Sequence, residues 1–479
     1  MTGFQHRGVI EGFYGTPWAH QDRLWCIERL GAWDMNRYVY APKDDPLHRA
    51  RWRDPHPDAQ ARELRELVAK GEACGVQVGF AVSPGLSIHY ADADDRAAVC
   101  AKLAWYRDLG ARFLALALDD VPSKLVHAGD RRAFASLAGA HLALASQVLA
   151  AIGGGCTLWL VPTDYLGTGA TDYLEELGAG LAPEVEVGWT GRTVLSPTIT
   201  LAEARARSQV LRRRLLLWDN TPAADGPMRN MLHMNPYRGR DPGLASCVSG
   251  VLLNPMRHAR ASGVTLRTAA RYLEDPAGYD AERAFEEATR ELGAGAEDAF
   301  GVFARAHRFS PLTCDDRDRE LEALHEALRR AIEAGDPKPV LAALREAVAL
   351  RAGAAERLRR DLADRRLAAE IEPWIASHAC ETRRIAAAAD FLAALFGDGR
   401  AVDRVYAFFA LEARLSREPL PAEVSYGPRR VLYPQLASLR DDEMALAEDP
   451  TLLRGRNLAD AFVELAEAQA LSRLGTHPA

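Results

Sequence analysis

The sequence predicts an α/β protein with a closed (β/α)8 TIM barrel over residues 1–275, followed by an all-α helical bundle over residues 280–479. In the first part, short runs rich in β-branched and aromatic residues alternate with amphipathic stretches of helical period. Near residues 273–279, a Pro/Gly break ends this alternation, and strand signals almost vanish beyond it. Together these observations favour a barrel of repeated βα units joined to a separate helical domain.

The strand candidates occur at intervals of about 30–45 residues, and a helical pattern follows nearly all of them. In chain order they cover residues 8–14, 37–41, 76–82, 113–118, 157–161, 185–188, 215–218 and 250–253. Eight βα repeats suit a closed barrel better than an open doubly wound sheet, which remains the structural alternative. A nucleotide-binding form of the open sheet is not supported, because no GxGxxG follows the first strand and no GxxxxGK[ST] motif occurs.

The second part contains helix-forming segments with charged faces, at residues 318–334, 339–352 and 354–371. Helix-ending signals lie at residues 335–337 and 397–399. The irregular, proline-rich stretch 418–434 predicts either a surface connection or a loop that reaches over the barrel mouth. Acidic residues are interleaved with the arginine pairs of these helices, which favours solvated faces over an RNA-binding surface.

Composition excludes several functional classes. The net charge of -7 gives no electrostatic basis for binding nucleic acid or an anionic membrane. The seven cysteines are scattered without a CxxC pair, so neither a disulfide framework nor a thiolate zinc site is expected. The first residues do not resemble a secretion signal, and no apolar run reaches the ~18 residues of a membrane span. We therefore expect a cytoplasmic protein.

Active sites of (β/α)8 barrels lie at the C-terminal ends of the strands, so the residues that follow each strand candidate are the candidate site residues. Carboxylates, amides, a lysine and aromatic side chains collect in these segments, which are residues 11–15, 41–45, 83–85, 119–120, 162–165, 188–191, 218–220 with Asp225, and 254–255. Hydrogen-bonding groups next to aromatic walls are what a carbohydrate site requires.

The pair Asp119-Asp120 follows six apolar residues of the fourth strand candidate. Consecutive strand residues point to opposite faces, so both carboxylates can face inward only where the strand breaks, ahead of Pro122. Two close carboxylates do not both ionise easily, and we expect one pKa to be raised, as a general acid requires. A turn or helix cap is an equally good explanation of the pair alone, and a metal site is less favoured because no histidine lies nearby.

Several motifs occur in an order that resembles the catalytic domain of glycoside hydrolase family 84, which includes the O-GlcNAcases and bacterial β-N-acetylglucosaminidases. They are GVIEGFYGTPW (8–18), YAPKDD (40–45) with His48-Arg49 and Trp52-Arg53, Asp119-Asp120, Trp189-Thr190-Gly191, Trp218-Asp219-Asn220 with Asp225, NPYRGR (235–240) and Asn254-Pro255. The resemblance covers residues 3–275, whereas the helical part carries no matching motif.

The resemblance implies a retaining exo-β-N-acetylglucosaminidase that uses the 2-acetamido group of its own substrate as the nucleophile. Asp119 would bind and orient the acetamido N–H, and Asp120 would be the general acid and base. The other positions that match the family would bind substrate: Tyr165 and Trp218 at the acetamido group, and Gly12, Lys43, Asn220, Asp225 and Asn254 at the rest of the sugar.

The resemblance also implies that neither a metal nor an organic cofactor is needed and that the partner is a GlcNAc-bearing glycoprotein or glycan. Two alternatives stay open at this point. The chain could be another barrel hydrolase, inverting or with a carboxylate nucleophile, or it could be a non-catalytic sugar-binding protein. The second is less favoured because Asp119 and Asp120 are both present.

Overall fold

The computed structural model describes residues 3–308, 310, 318–398, 401–415, 432–436, 444–448 and 458–474. Eight parallel strands pair in chain order, and the eighth closes on the first. The sequence-based prediction of a (β/α)8 barrel is therefore confirmed. The strands are β1 (His6–Glu11), β2 (Arg37–Tyr40), β3 (Gln77–Val82), β4 (Phe113–Ala117), β5 (Thr157–Val161), β6 (Glu186–Trp189), β7 (Leu215–Asp219) and β8 (Val248–Leu253).

Helices follow the strands around the barrel. They are α1 (His20–Ala32), α2 (Asp58–Cys74), α3 (Ala93–Asp108), α4 (Ala128–Ala133), α5 (Leu137–Ile152), α6 (Asp172–Gly180), α7 (Leu201–Leu211) and α8 (Gly263–Glu274). The sequence encodes several of their starts, since the side chains of Asp92, Ser136, Thr171 and Thr200 accept backbone hydrogen bonds at the first turns of α3, α5, α6 and α7. Such caps satisfy N–H groups that have no partner within the helix.

The barrel interior is filled by side chains from alternate strand residues, as the two-residue period of a strand requires. Its apolar cluster includes Ile10, Val39, Ala81, Phe113, Ala115, Ala117, Trp159, Val161, Leu216, Trp218 and Leu252. The barrel is therefore a packed core, and a substrate site can lie only at its rim.

The described residues divide into two compact units. One holds the barrel, with residues up to 229 and 236–284; residues 434–436 and 444–447 group with it. The other holds residues 230–235 and the remaining described residues from 285 onward. The elements after α8 are α9 (Ala281–Leu292), α10 (Glu297–Ala306), α11 (Arg319–Glu333), α12 (Lys338–Asp361), α13 (Arg365–Leu395), α14 (Ala401–Leu415), β9 (Leu432–Leu436), β10 (Met444–Glu448) and α15 (Leu458–Leu474). The predicted domain bounds of 1–275 and 280–479 stay a prediction.

The second unit has its own apolar core, in which buried residues of α11, α12, α13 and α15 pack together. The predicted segments 339–352 and 354–371 do not correspond to two separate helices, because α12 continues through Gly353 to Asp361. One glycine in a helix costs only about 1 kcal/mol, and the buried Ala354, Ala355 and Leu358 keep the helix packed. The next helix begins instead where Asp364 caps the N–H groups of Arg366 and Leu367.

Three other expectations bear on the whole chain. Most of the predicted 418–434 segment lies outside the described residues, and 432–434 belong to β9. Cys314 also lies outside them, and the other six cysteines are free thiols. Within the part of the chain that the structure describes, no helix combines the length and apolar character that a membrane crossing needs.

Candidate active site

The strand period places the predicted site residues at the barrel mouth. Each of five positions lies two residues beyond an inward-facing core residue of its strand, so its side chain or backbone faces the same interior. These positions are Gly12 after Ile10, Lys43 after Ala41, Asp119 after Ala117, Asn220 after Trp218 and Asn254 after Leu252. Barrel closure therefore brings together residues that are up to 242 positions apart in the chain.

Asp119 is buried, and only one of its two carboxylate oxygens has a hydrogen-bond donor among the described residues. Lys43 donates a hydrogen bond from Nζ to its Oδ2, and the side chains of Lys43 and Asp119 are 2% and 7% exposed. The other carboxylate oxygen, Oδ1, is also buried, and no group among the described residues donates a hydrogen bond to it. An unpaired buried acceptor costs about 1–3 kcal/mol, so Oδ1 is poised to accept a hydrogen bond from a donor that enters the site.

Asp120 turns back into the site because the chain breaks away from β4. Its φ of 54° lies in the left-handed region, which costs a non-glycine residue about 1–3 kcal/mol. The conformation aims its carboxylate at two tyrosines: Tyr14 donates to Oδ2 at 2.7 Å and Tyr165 donates to Oδ1 at 2.9 Å. With 31% of its side chain exposed, Asp120 faces the opening of the site while Asp119 lies beneath.

The pKa of Asp120 lies below its ordinary value, contrary to the raised pKa expected for a general acid. Burial is the largest single influence and would raise this pKa, but the charge of Lys43, the hydrogen bonds of Tyr14 and Tyr165 and the Arg49 guanidinium together outweigh it. Lys43 Nζ lies 3.8 Å from Asp120 Oδ2. The site thus holds Asp120 as an anion in the structure.

A second group of predicted residues forms a hydrogen-bonded set beside the two aspartates. Asn220 Oδ1 accepts from Trp218 Nε1 and from Asn254 Nδ2, each at 2.9 Å. Asn254 Oδ1 in turn accepts from the Gly12 backbone N–H at 3.1 Å. A side chain at Gly12 would meet the Trp218 ring at 2.4 Å, and Lys43 Nζ lies 5.5 Å from the centre of the same ring. Gly12 therefore lets the indole lie against the backbone of the rim.

Asp225 is joined to the rest of the site through Tyr14. Its Oδ2 accepts a hydrogen bond from the Tyr14 backbone N–H at 2.9 Å. Burial raises the pKa of Asp225, and the Tyr14 N–H opposes this only in part. All nine predicted site residues thus belong to one connected set of contacts at the carboxyl ends of the strands.

Other carboxylates at the strand ends stabilise the fold and are fully engaged. Glu11 accepts from Arg23 Nε at 2.8 Å, from the Trp18 N–H at 3.0 Å and from Tyr38. Because Ile10 faces the barrel interior, the next residue, Glu11, points to the outside of β1 and away from the site.

Asp219 also points away from the barrel interior. It accepts two hydrogen bonds from Arg240, at 2.5 and 2.8 Å, and one from Tyr237 at 2.6 Å. The Asp219 and Arg240 side chains are each only 1% exposed. Since every strong interaction of Asp219 is internal, its role is to hold the end of β7.

Arg240→Met should destabilise the protein by about 3–5 kcal/mol, because it leaves the buried Asp219 charge without its partner. Urea denaturation measures this free energy of unfolding. Arg51→Met is the matched control, since it breaks an exposed ion pair with Asp54 and should cost less than about 1 kcal/mol. Equal losses in the two variants would contradict the structural role of the buried pair.

Two residues that contact Asp120 were not predicted as site residues, although both lie in the motifs. Tyr14 follows β1, and Arg49 lies in the loop between β2 and α2. Arg49 Nη1 donates to the Tyr14 hydroxyl at 2.7 Å, and Nη2 donates to the Asp120 carbonyl at 2.9 Å. The available signal for Tyr14 was its place just after β1, whereas Arg49 lies well beyond the end of β2 and only its place in the motif pointed to it. Among the described residues, no group of three or more His, Cys, Asp or Glu side chains could hold a metal ion.

Comparison with known proteins agrees with this geometry. The family model described as beta-N-acetylglucosaminidase matches residues 7–305. The Protein O-GlcNAcases of Rattus norvegicus and Mus musculus are each 33% identical over 273 residues, which are 56% of this chain and 30% of theirs. The chain therefore matches less than a third of the length of these relatives.

Solved structures extend the likeness beyond the barrel. A mutant of the Thermobaculum terrenum O-GlcNAc hydrolase is 28% identical with a TM-score of 0.84, and the match covers 98% of this chain and 95% of that one. CpGH84B is 25% identical with a TM-score of 0.77, over 88% and 74% of the two chains. With the family model matching more than half of its length, the chain belongs to the β-N-acetylglucosaminidase family, glycoside hydrolase family 84.

Proposed function

We propose that this protein is a retaining exo-β-N-acetylglucosaminidase that removes terminal β-linked GlcNAc from a glycoprotein or glycan by substrate-assisted catalysis. The carbonyl oxygen of the 2-acetamido group attacks the anomeric carbon as the bond to the aglycone oxygen breaks. Asp120 gives that oxygen its proton and then takes one from the water that opens the oxazoline intermediate. Two inversions at one carbon leave the configuration retained.

The observation that carries this proposal is the unequal environment of the two adjacent aspartates. Asp119 is buried, held by Lys43, and has one oxygen without a partner among the described residues, which suits it to accept the acetamido N–H. Asp120 is more exposed and lies at the opening of the site, where a leaving group would be. Because the substrate supplies the nucleophile, neither aspartate has to reach the far face of the sugar, so adjacent residues suffice.

The low pKa of Asp120 in the structure is compatible with an acid role once a sugar binds. Tyr165 and Lys43, two groups that favour the Asp120 anion, are also proposed ligands of the sugar. When Tyr165 donates to the acetamido oxygen and Lys43 to a hydroxyl, their stabilisation of the anion weakens. Burial by the sugar acts in the same direction, so we expect the pKa of Asp120 to rise in the complex.

The remaining residues would hold the sugar. Trp218 would form the wall of the acetamido pocket, and Asn220, Asn254 and the Gly12 backbone would bind hydroxyl groups. Asp225 would bind the hydroxyls of the non-reducing end. This chain needs no metal or organic cofactor for such a reaction.

The experiment that tests the proposal is hydrolysis of a chromogenic β-GlcNAc glycoside, with NMR detection of the first-formed anomer. We expect release of the phenol and the β-anomer of GlcNAc as the first product. The α-anomer would indicate an inverting barrel hydrolase. Binding of GlcNAc without any turnover would indicate a sugar-binding protein.

Asp225→Ala should lower kcat/KM at least about tenfold with every aglycone, because Asp225 would contact only the terminal sugar. The steady-state kinetics of two substrates that differ in the aglycone measure this. A GlcNAc unit capped at its 4-position should also resist cleavage. Rapid cleavage within a hyaluronan chain, with release of larger fragments, would contradict the assignment.

A further inference from the structure

We propose that Arg49 is a positioning residue that fixes the turn of Asp120 and directs the Tyr14 hydroxyl at the Asp120 carboxylate. The inference rests on the proposed function for its kinetic consequences, but its geometric part stands on the structure alone. Arg49 lies in the loop between β2 and α2 and contacts residues that follow β1 and β4, so one side chain ties three loops of the rim together.

Arg49 acts first on the backbone at Asp120. The chain around Asp120 is held on one side by β5, where Leu118 N–H donates to Val161 O at 2.9 Å and Thr163 Oγ1 donates to Leu118 O at 2.8 Å. On the other side, Arg49 Nη2 donates to the Asp120 carbonyl at 2.9 Å. A left-handed φ at a non-glycine residue persists only when the surroundings hold it, and Arg49 supplies the second of these two restraints.

Arg49 also sets the direction of the Tyr14 hydroxyl proton. The Tyr14 hydroxyl has one hydrogen, and its oxygen accepts from Arg49 Nη1 at 2.7 Å. That contact occupies a lone pair of the oxygen and leaves the O–H free to point at Asp120 Oδ2, 2.7 Å away. The guanidinium carbon also lies 5.7 Å from the centre of the Tyr14 ring. Arg49 thereby directs the Tyr14 hydrogen bond to Asp120 Oδ2 and helps to set which way the carboxylate faces.

The positive charge of Arg49 acts on Asp120 as well. The Arg49 guanidinium is one of the groups that hold the pKa of Asp120 below its ordinary value. Removing this positive charge should raise that pKa, so a reaction that requires protonated Asp120 should persist to higher pH. The effect of the Arg49 hydrogen bonds can be separated from the effect of its charge with Arg49→Lys. Lysine keeps the positive charge but cannot present the planar pair of donors.

The test compares Arg49→Met, Arg49→Lys and the control Arg51→Met, whose arginine lies in the same loop but pairs with the exposed Asp54. For Arg49→Met we expect kcat/KM on a GlcNAc glycoside with a poor leaving group to fall about 10- to 100-fold, with a smaller loss for an activated phenol. In the pH profile of kcat/KM for this variant, the alkaline limb should move up by roughly half to one pH unit. Arg49→Lys should return the alkaline limb to its wild-type position but recover only part of kcat/KM. Arg51→Met should match the wild type in both.

Crystal structures of wild type and Arg49→Met test the geometric part without reference to activity. We expect the Asp120 carbonyl to shift and the separation of Tyr14 Oη from Asp120 Oδ2 to exceed hydrogen-bond distance. An unchanged Asp120 turn, or kinetics and pH profiles that coincide with those of Arg51→Met, would overturn the inference about Arg49. A wild-type protein that does not hydrolyse GlcNAc glycosides would instead overturn the proposed function. If Arg49→Met does not fold, the same comparisons are made with Arg49→Lys, which must then show the altered turn.

Discussion

Asp120→Asn is expected to lower kcat about 10²- to 10⁴-fold on a GlcNAc glycoside whose leaving group is an alkyl alcohol. The amide keeps the shape of the side chain, and it can still accept a hydrogen bond from Tyr14 or Tyr165 through its oxygen. It cannot transfer a proton to the departing oxygen. A nitrophenol leaves without this help, so its departure should be much less affected, and the two rates should diverge in the variant.

Steady-state kinetics on a series of aryl and alkyl β-GlcNAc glycosides measure this divergence. Asp108→Asn provides the matched control, because its carboxylate lies on the surface near the end of α3 and pairs with Arg107. That control should follow the wild type across the whole series. Uniform losses on all leaving groups would show that Asp120 is not the proton donor.

For the wild type, the pH profile of kcat should have its alkaline limb at a higher pH than the profile of kcat/KM, since the pKa of Asp120 is expected to rise when substrate binds.

A large loss of rate is also expected when the substrate lacks the 2-acetamido group. A β-glucoside with the same aglycone lacks the acetamido group, and its hydrolysis is expected to be at least about 10⁵-fold slower. An internal nucleophile held in line supplies an effective molarity of about 10⁵–10⁸ M, and this advantage is lost with the group. The glucoside also lacks the N–H that the buried oxygen of Asp119 would accept.

Parallel kinetics on the two glycosides measure the difference directly. A thiazoline that mimics the bicyclic intermediate should also inhibit with an affinity well above that of the substrate. Asp119→Asn supplies an internal comparison, because it should slow the GlcNAc glycoside while leaving the low glucoside rate nearly unchanged. Similar rates for GlcNAc and glucose substrates would rule out substrate assistance.

The two-residue period of the strands made much of the site predictable. Gly12, Asp119, Asn220 and Asn254 are the first or second residue beyond a strand, Lys43 is the third, and all five continue the inward-facing set of their strands. Because this register is local, the sequence alone indicated which backbone positions face the barrel mouth. The resemblance to a known family then attached roles to those positions, and these roles remain to be tested.

Local patterns were less informative for the helical unit. The segments 339–352 and 354–371 did not mark separate helices, because a glycine is only a weak break and packing along α12 outweighs the small cost of Gly353. The helix ends instead at Asp361, and the side chain of Asp364 then caps the start of α13. A helix boundary of this kind depends on which neighbours bury the residues around it, and those neighbours come from distant parts of the chain.

The sequence by itself determined the barrel, the eight strands and the set of polar residues at their ends. Only the tertiary structure decided how those residues are used: Glu11 and Asp219 are neutralised by Arg23 and Arg240, while Asp119 keeps an oxygen without a partner among the described residues. It also brought Tyr14 and Arg49 to Asp120 and lowered the pKa of that residue. The physical reason is that strand period is a local property of the backbone. Charge pairing and pKa depend instead on side chains that barrel closure brings within a few ångströms of each other from far apart in the chain.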